Sequence, residues 1–274
     1  MGKRELDTGT NDLIAYVEDG VGVAIMNRPE RRNALSPAML AAMAGSLAAF
    51  ETDPDVGCVV LTGAGGAFCA GGDVKGMAEA NAGARALDID SRIHLQRLSQ
   101  RATAGKLYTM PKPTIAAIGG AAAGAGLSLA LACDLRVAAD NAVMTTAFAR
   151  VGFSGDYGGT YFLSRLVGTA KARELYYLSE RLDMAEAARL GLVNWVVPAD
   201  RLKARTFEIA GRLAKGPRVA YRYMKENIDR ANAGGWEECM DLEATHHVHT
   251  GLTEDHREAA AAFVEKREPV FKGR

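Results

Sequence analysis

The chain has 274 residues, 48% of them hydrophobic and 24% charged, and its 33 basic side chains balance 33 acidic ones. This is the composition of an ordinary globular protein, not a disordered one, and the length suits one large domain or one domain with an appendage. A net charge of zero gives no general attraction to phosphate backbones or anionic lipid, so neither a nucleic acid nor a membrane is expected as a partner.

The opening MGKRELDTGTNDLIAY lacks the apolar core of a signal peptide, and no later run reaches the ~20 apolar residues of a membrane span, so a cytoplasmic location is expected. Residues 13–17 and 22–26 flank Glu18-Asp19-Gly20 and predict a β-hairpin. Ser36 is placed to N-cap a helix over 38–50, with Pro37 at its first position. Cys58–Leu61 and Thr114–Ile118 read as buried parallel strands, and 134–138 as another. Glycine-rich loops follow the first two, over 63–72 and 119–130, the second opening a helix through Ala132, and 74–109 reads as mostly helical. Repeated strand–loop–helix units imply an α/β fold with a mainly parallel sheet. Beyond residue 160 the pattern is helix after helix: 160–166, 171–178, 184–190, 201–214, 218–232, 236–249 and 253–266, interrupted by a short extended segment at 193–197. The last helix carries an apolar stripe through Phe263 and Val264 that needs covering. Cys58, Cys69, Cys133 and Cys239 are far apart and read as reduced thiols. His246 and His249 share a helix face but lack a zinc-like ligand pattern, so no metal is expected.

The two glycine loops are the sharpest feature. In Gly124-Ala125-Gly126 the next small residue required for G-x-G-x-x-G/A is replaced by Leu129, and Gly63-x-Gly65 is followed by Phe68. Neither fits a dinucleotide fingerprint, and no GKS or GKT exists for a phosphate loop. Small residues at strand ends let a ligand approach the backbone and leave N–H groups free. Two readings follow: an oxyanion hole for a reaction that builds negative charge on a thioester, or tight turns that pack helices on strands.

Asn27-Arg28-Pro29 with Asn33-Ala34-Leu35, Phe68-Cys69-Ala70-Gly71-Gly72-Asp73, Pro113-x5-Gly119-Gly120-x3-Gly124-Ala125-Gly126, Ala132-Cys133-Asp134, Gly158-Gly159-Thr160 and Ala185-x5-Gly191-Leu192-Val193 resemble, in series, the enoyl-CoA hydratase/isomerase (crotonase) superfamily. The resemblance implies a spiral of ββα units over residues 1–205 holding an acyl-CoA site, followed by a helical region, 206–274, that forms homotrimers or dimers of trimers. It implies an acyl-CoA or enoyl-CoA substrate and no cofactor beyond the coenzyme A of that thioester. Carried over, the oxyanion donors are the N–H groups of Gly72 and Ala125. The family usually has glycine at the second position; a backbone donor tolerates alanine unless φ is positive there. Arg28, Arg32 and Ala34 match the stretch lining coenzyme A, and Ala70, Asp73, Val74 and Lys75 the substrate loop, with Arg32 and Lys75 equally readable as surface cations.

Family hydratases carry two glutamates at the positions of Ser128 and Phe148, and neither residue here moves a proton as a carboxyl does. Asp156, in Gly155-Asp156-Tyr157-Gly158, occupies the place of the catalytic aspartate in double-bond isomerases and the nucleophile in dehalogenases of the family. It reads either as the acid–base group or as the cap of the helix starting near Gly158. Walls of Phe148, Phe153 and Tyr157 are expected to raise its pKa, while Tyr157 reads mainly as packing and Ser128 as a substrate contact or a first-turn residue. The expected activity is enoyl-CoA isomerisation with Asp156 as single acid–base. Hydration through Asp156 and water, thioester hydrolysis or dehalogenation with Asp156 as nucleophile, and a non-catalytic acyl-CoA-binding oligomer are the alternatives.

Overall fold

A computed structural model describes residues 2–73, 76 and 88–274. Its larger sheet has the order β1 (Arg4–Leu6), β2 (Leu13–Glu18), β3 (Val21–Met26), β4 (Cys58–Gly63), β6 (Thr114–Ile118), β8 (Leu135–Ala139), β10 (Trp195–Val197). Strands β2 and β3 form the expected antiparallel hairpin, Leu13 opposite Met26, turning through Asp19 and Gly20 at φ of 49° and 80°. That Asp-Gly pair suits the twist of a two-residue hairpin. From β3 onward every pairing in this sheet is parallel. All five residues of β6 are buried, as befits a central strand covered on both faces.

A smaller parallel sheet is built from β5 (Ala67–Cys69), β7 (Ala121–Ala123) and β9 (Met144–Thr145). These strands are three, three and two residues long, too short for alternation to reveal, and β5 and β7 lie inside segments whose glycines read as loop. They expose the repeating unit. β6, β7 and α4 (Ala125–Ala132) form one turn of a spiral, and β8, β9 and α5 (Gly159–Leu178) the next, each placing one strand in each sheet before a helix. β4 and β5 open the preceding turn, which contains α2 (Ile89–Gln100), a π-helical turn Arg101–Gly105 and α3 (Lys106–Thr109). This is the crotonase fold that the motifs anticipate.

Local chemistry explains the helices. In α1 (Pro37–Thr52) the Ser36 hydroxyl accepts the Met39 N–H at 3.0 Å, and Met39, Met43, Leu47 and Phe50 fall on the buried stripe. Helix α4 is buried on all sides. Helix α5 breaks at Gly168 (φ 77°, ψ 162°), which separates the two helices expected there. After α6 (Met184–Arg189), α7 (Leu202–Ala214) crosses residue 205 and packs on β4, β6 and β8.

The remaining helices turn outward. α8 (Arg218–Ala231) has no buried residue, α9 (Trp236–Gly251) only His246, and α10 (Glu254–Glu265) only Asp255 and Ala262. His246 stacks on Tyr223 at 4.1 Å and meets Asn227 Oδ1 at 2.6 Å, which ties α9 to α8. Among the described residues no helix is long and apolar enough to cross a membrane.

Candidate active site

The small sheet brings the two glycine loops together. A Cβ on Gly71 (φ 91°) would lie 2.8 Å from Ala123 O and 3.4 Å from Ala125 N, and one on Gly126 would lie 2.4 Å from Cys69 O. The loops therefore touch backbone to backbone, with glycine at the points of contact. Gly72 bridges to Leu35, while Ala125 opens α4. Positive φ falls on Gly124 (52°) and not on Ala125, so the alanine carries no left-handed strain. Neither the Gly72 nor the Ala125 N–H has an acceptor among the described residues. Two free donors on touching loops, one at a helix N-terminus, can serve a single oxygen that gains negative charge.

The segment 27–35 is laced to the first loop. Arg28 donates to Ala34 O at 2.7 Å and to Asp73 Oδ2 at 3.0 Å, and it stands 3.6 Å from Asp12. Asp73 also accepts the Gly76 N–H, and that bond together with Arg28 holds its carboxyl below the usual range. Ala70 N–H donates to Arg32 O at 2.9 Å. Arg28 and Asp73 thus occupy one another, whereas the exposed Arg32 side chain has no ion pair among the described residues. Val74 and Lys75 lie outside the described residues. Asn33, fully buried, is a lacing residue whose role the sequence does not announce: it donates to Ala64 O and Ala67 O and accepts the Arg28 N–H.

Asp156 sits between a short helical turn, Phe148–Val151, and α5. It does not cap α5: Gly158 is the N-cap and no side chain serves it. Instead Asp156 Oδ1 is buried with no hydrogen-bond partner among the described residues, and burial pushes the carboxyl up to about 6. Asp156 is the one carboxylate, among the described residues, that lines a cavity of about 890 Å³ whose wall includes Ile89, Ile93, Gln96, Gln100 and Phe153. Its charge reaches Cys69 of the first loop and Tyr176 of α5, raising the Cys69 thiol, already lifted by burial, to about 12. The aromatic wall differs from expectation. Phe153 is 57% exposed at the cavity edge, whereas Phe148 and Tyr157 are buried and the half-buried Tyr176 joins them. Tyr176 stacks on Phe148 at 5.7 Å, and its hydroxyl would lie 2.6 Å from a Cβ on Gly159, which also explains the glycine there.

The positions matching the hydratase glutamates hold no carboxyl. Ser128 is buried in the first turn of α4 and donates back to Gly124 O at 3.3 Å. Tyr157 OH meets Ser99 Oγ at 3.2 Å, and the Tyr157 N–H donates to Gln100 Oε1 at 2.9 Å. Tyr157 is therefore more than packing. Gln100 itself was hidden in a polar helical tract whose partners lie 57 residues away.

The chain is similar to known proteins along nearly its whole length. Residues 17–274 match the family model described as enoyl-CoA hydratase/isomerase. A 1,2-epoxyphenylacetyl-CoA isomerase of Escherichia coli is 34% identical over 96% of this chain and 98% of its own. A probable enoyl-CoA hydratase of Mycobacterium tuberculosis is 36% identical over the same shares. The crystal structure of a putative enoyl-CoA hydratase from Streptomyces coelicolor, 34% identical, covers 96% of this chain and 94% of that chain with a TM-score of 0.90.

Proposed function

Because the chain belongs to the enoyl-CoA hydratase/isomerase family of acyl-CoA enzymes, we propose that it is an isomerase that shifts the double bond of an enoyl-CoA through a thioester enolate. The observation that carries this reading is Asp156, the one carboxylate facing the cavity among the described residues, with a buried and unbonded oxygen. In a 3-enoyl-CoA the ionised Asp156 takes a proton from C2, and the C–H electrons pass to the thioester oxygen. The N–H groups of Gly72 and Ala125 stabilise that oxyanion. Asp156, after exchanging its proton with solvent, protonates C4, leaving the double bond between C2 and C3. One group that takes a proton at C2 and gives one at C4 suffices, and no cofactor beyond the substrate's coenzyme A is used.

Hydration is the poorer fit, because positioning and activating a water favours two groups and the matching positions carry Ser128 and Phe148. The Escherichia coli relative named as an isomerase supports the choice, and those named as hydratases mark the alternative. In the segment lacing the first loop, Arg32 is a cation available to coenzyme A phosphates, whereas Arg28 is committed to Asp12 and Asp73. We assign the uncovered helical region to a homotrimer or a dimer of trimers.

The deciding experiment incubates the protein with 3-enoyl- and 2-enoyl-CoA in D2O and reads mass and NMR. Deuterium incorporation with a shifted double bond and no added water is expected. A product heavier by one water means a hydratase, and free coenzyme A means a hydrolase. Tight thioester binding without exchange means a non-catalytic binder.

A further inference from the structure

Among the described residues nothing bonds Asp156 Oδ1, so the aim of this carboxyl is set by the backbone that carries it. That backbone is unusual. Gly155, Tyr157 and Gly158 have φ of 118°, 50° and 75°, and the left-handed conformation is costly for a tyrosine. Such strain persists only where the surroundings over-determine it. Two neighbours on α2 and its end do so. Ser99 Oγ meets the Tyr157 hydroxyl, and Gln100 Oε1 accepts the N–H of the strained residue itself at 2.9 Å.

The Gln100 bond has a fixed sense. A backbone N–H only donates, so the carboxamide oxygen must face Tyr157. Gln100 also lines the cavity that Asp156 lines, at the point where α2 passes into the π-helical turn. Such π-helical turns are frequent at functional sites. We propose that Gln100 is a positioning residue: by accepting the Tyr157 N–H it holds the strained turn that aims Asp156 at the substrate. The inference rests on the assignment of Asp156 as the acid–base group.

Asp156 is faced by Cys69 from the first glycine loop, Tyr176 from α5, Tyr157 from its own loop, and Arg92 and Arg97 across the cavity on α2. Two substitutions separate positioning from simple loosening. Gln100→Leu keeps the bulk and removes the acceptor, while Gln100→Glu keeps an acceptor and adds a negative charge. Both are made in the full chain, alone and with Asp156→Asn. They are assayed with 3-hexenoyl-CoA and by amide hydrogen exchange at Tyr157.

Gln100→Leu is expected to lower kcat by about 10- to 100-fold with little change in KM, as a misplaced catalytic group does, and to speed exchange of the Tyr157 amide. Gln100→Glu is expected to recover both, and to move the acid limb of kcat/KM to higher pH, because a second carboxylate disfavours charge on Asp156. In the Asp156→Asn background, Gln100→Leu is expected to cost nothing further. Unchanged Tyr157 exchange in Gln100→Leu overturns the inference, whatever the turnover. So does unchanged kcat beside an inactive Asp156→Asn. Full turnover by Asp156→Asn removes the acid–base assignment instead, and the inference with it.

Discussion

Asp156 combines an unbonded buried oxygen with a pKa pushed up to about 6 by desolvation, which sets opposite demands on activity and stability. Proton abstraction needs the carboxylate, so kcat/KM is expected to rise through about pH 6 and level off above it. Folding prefers the acid. Below about pH 4 both folded and unfolded chains are protonated and the site costs nothing. Between that pH and about 6 the folded protein keeps a proton that the unfolded chain has lost, and above it the folded protein must bury the charge. Asp156→Asn should therefore cut turnover by about 10²-fold or more. It should also stabilise the fold at pH 7 by on the order of 2–3 kcal/mol, a gain that vanishes toward pH 4. Urea unfolding of both proteins at the two pH values checks this, and an inactive variant that is no more stable at pH 7 contradicts it. Asp156 stood out as a candidate in the sequence because its place in the glycine-marked motif resembles that of an aspartate in family isomerases. Gln100 and Tyr176 did not, because each acts on the Asp156 loop only through contacts that folding creates.

At the scale of elements, glycine means different things in two helices. In α1, Gly45 is exposed, and an added Cβ would meet nothing within 4 Å, so Gly45→Ala should stabilise by about 0.5–1 kcal/mol through helix propensity alone. In α4, a Cβ on Gly126 would collide at 2.4 Å with Cys69 O, backbone of the first loop. Gly126→Ala must push the two loops apart, so it should lose stability by about 1–3 kcal/mol as overpacked cores do, and lose turnover along with it. Thermal unfolding with a parallel activity assay distinguishes the pair. If Gly126→Ala retains full turnover, loop contact is not what sets the donor geometry. The glycine spacing in the sequence pointed to these loops, and the capping residues Ser36 and Pro37 and the Asp-Gly turn located the flanking elements well. The strands β5, β7 and β9, which seat one loop against the other, escaped notice because two or three residues cannot display a period.

For the whole molecule, the unresolved balance lies in the last three helices. Helices draw most of their stability from packing an apolar face, yet no residue of α8 is fully buried, and α9 and α10 bury one and two residues. Trp236, Leu252, Phe263 and Val264 are 71%, 76%, 86% and 79% exposed, and Met240, Val248 and Val270 extend the uncovered apolar surface. Surface of this kind on a single chain marks an interaction site, and closed symmetry among identical copies is the usual way to cover it. The apolar stripe was legible in the sequence, since Phe263 and Val264 follow a run of alanines, but its partner was not. A copy of the chain meets the requirement without any other protein, and a ring of three uses the same patch on every member. Light scattering at micromolar concentration should give three or six times the mass of one chain. Phe263→Glu with Leu252→Glu places charges where a partner would bury them, so the double variant should fall to monomers and unfold at lower temperature. A wild-type protein that is already monomeric and stable at that concentration overturns the assignment, because its outer helices would then stand without the cover they lack.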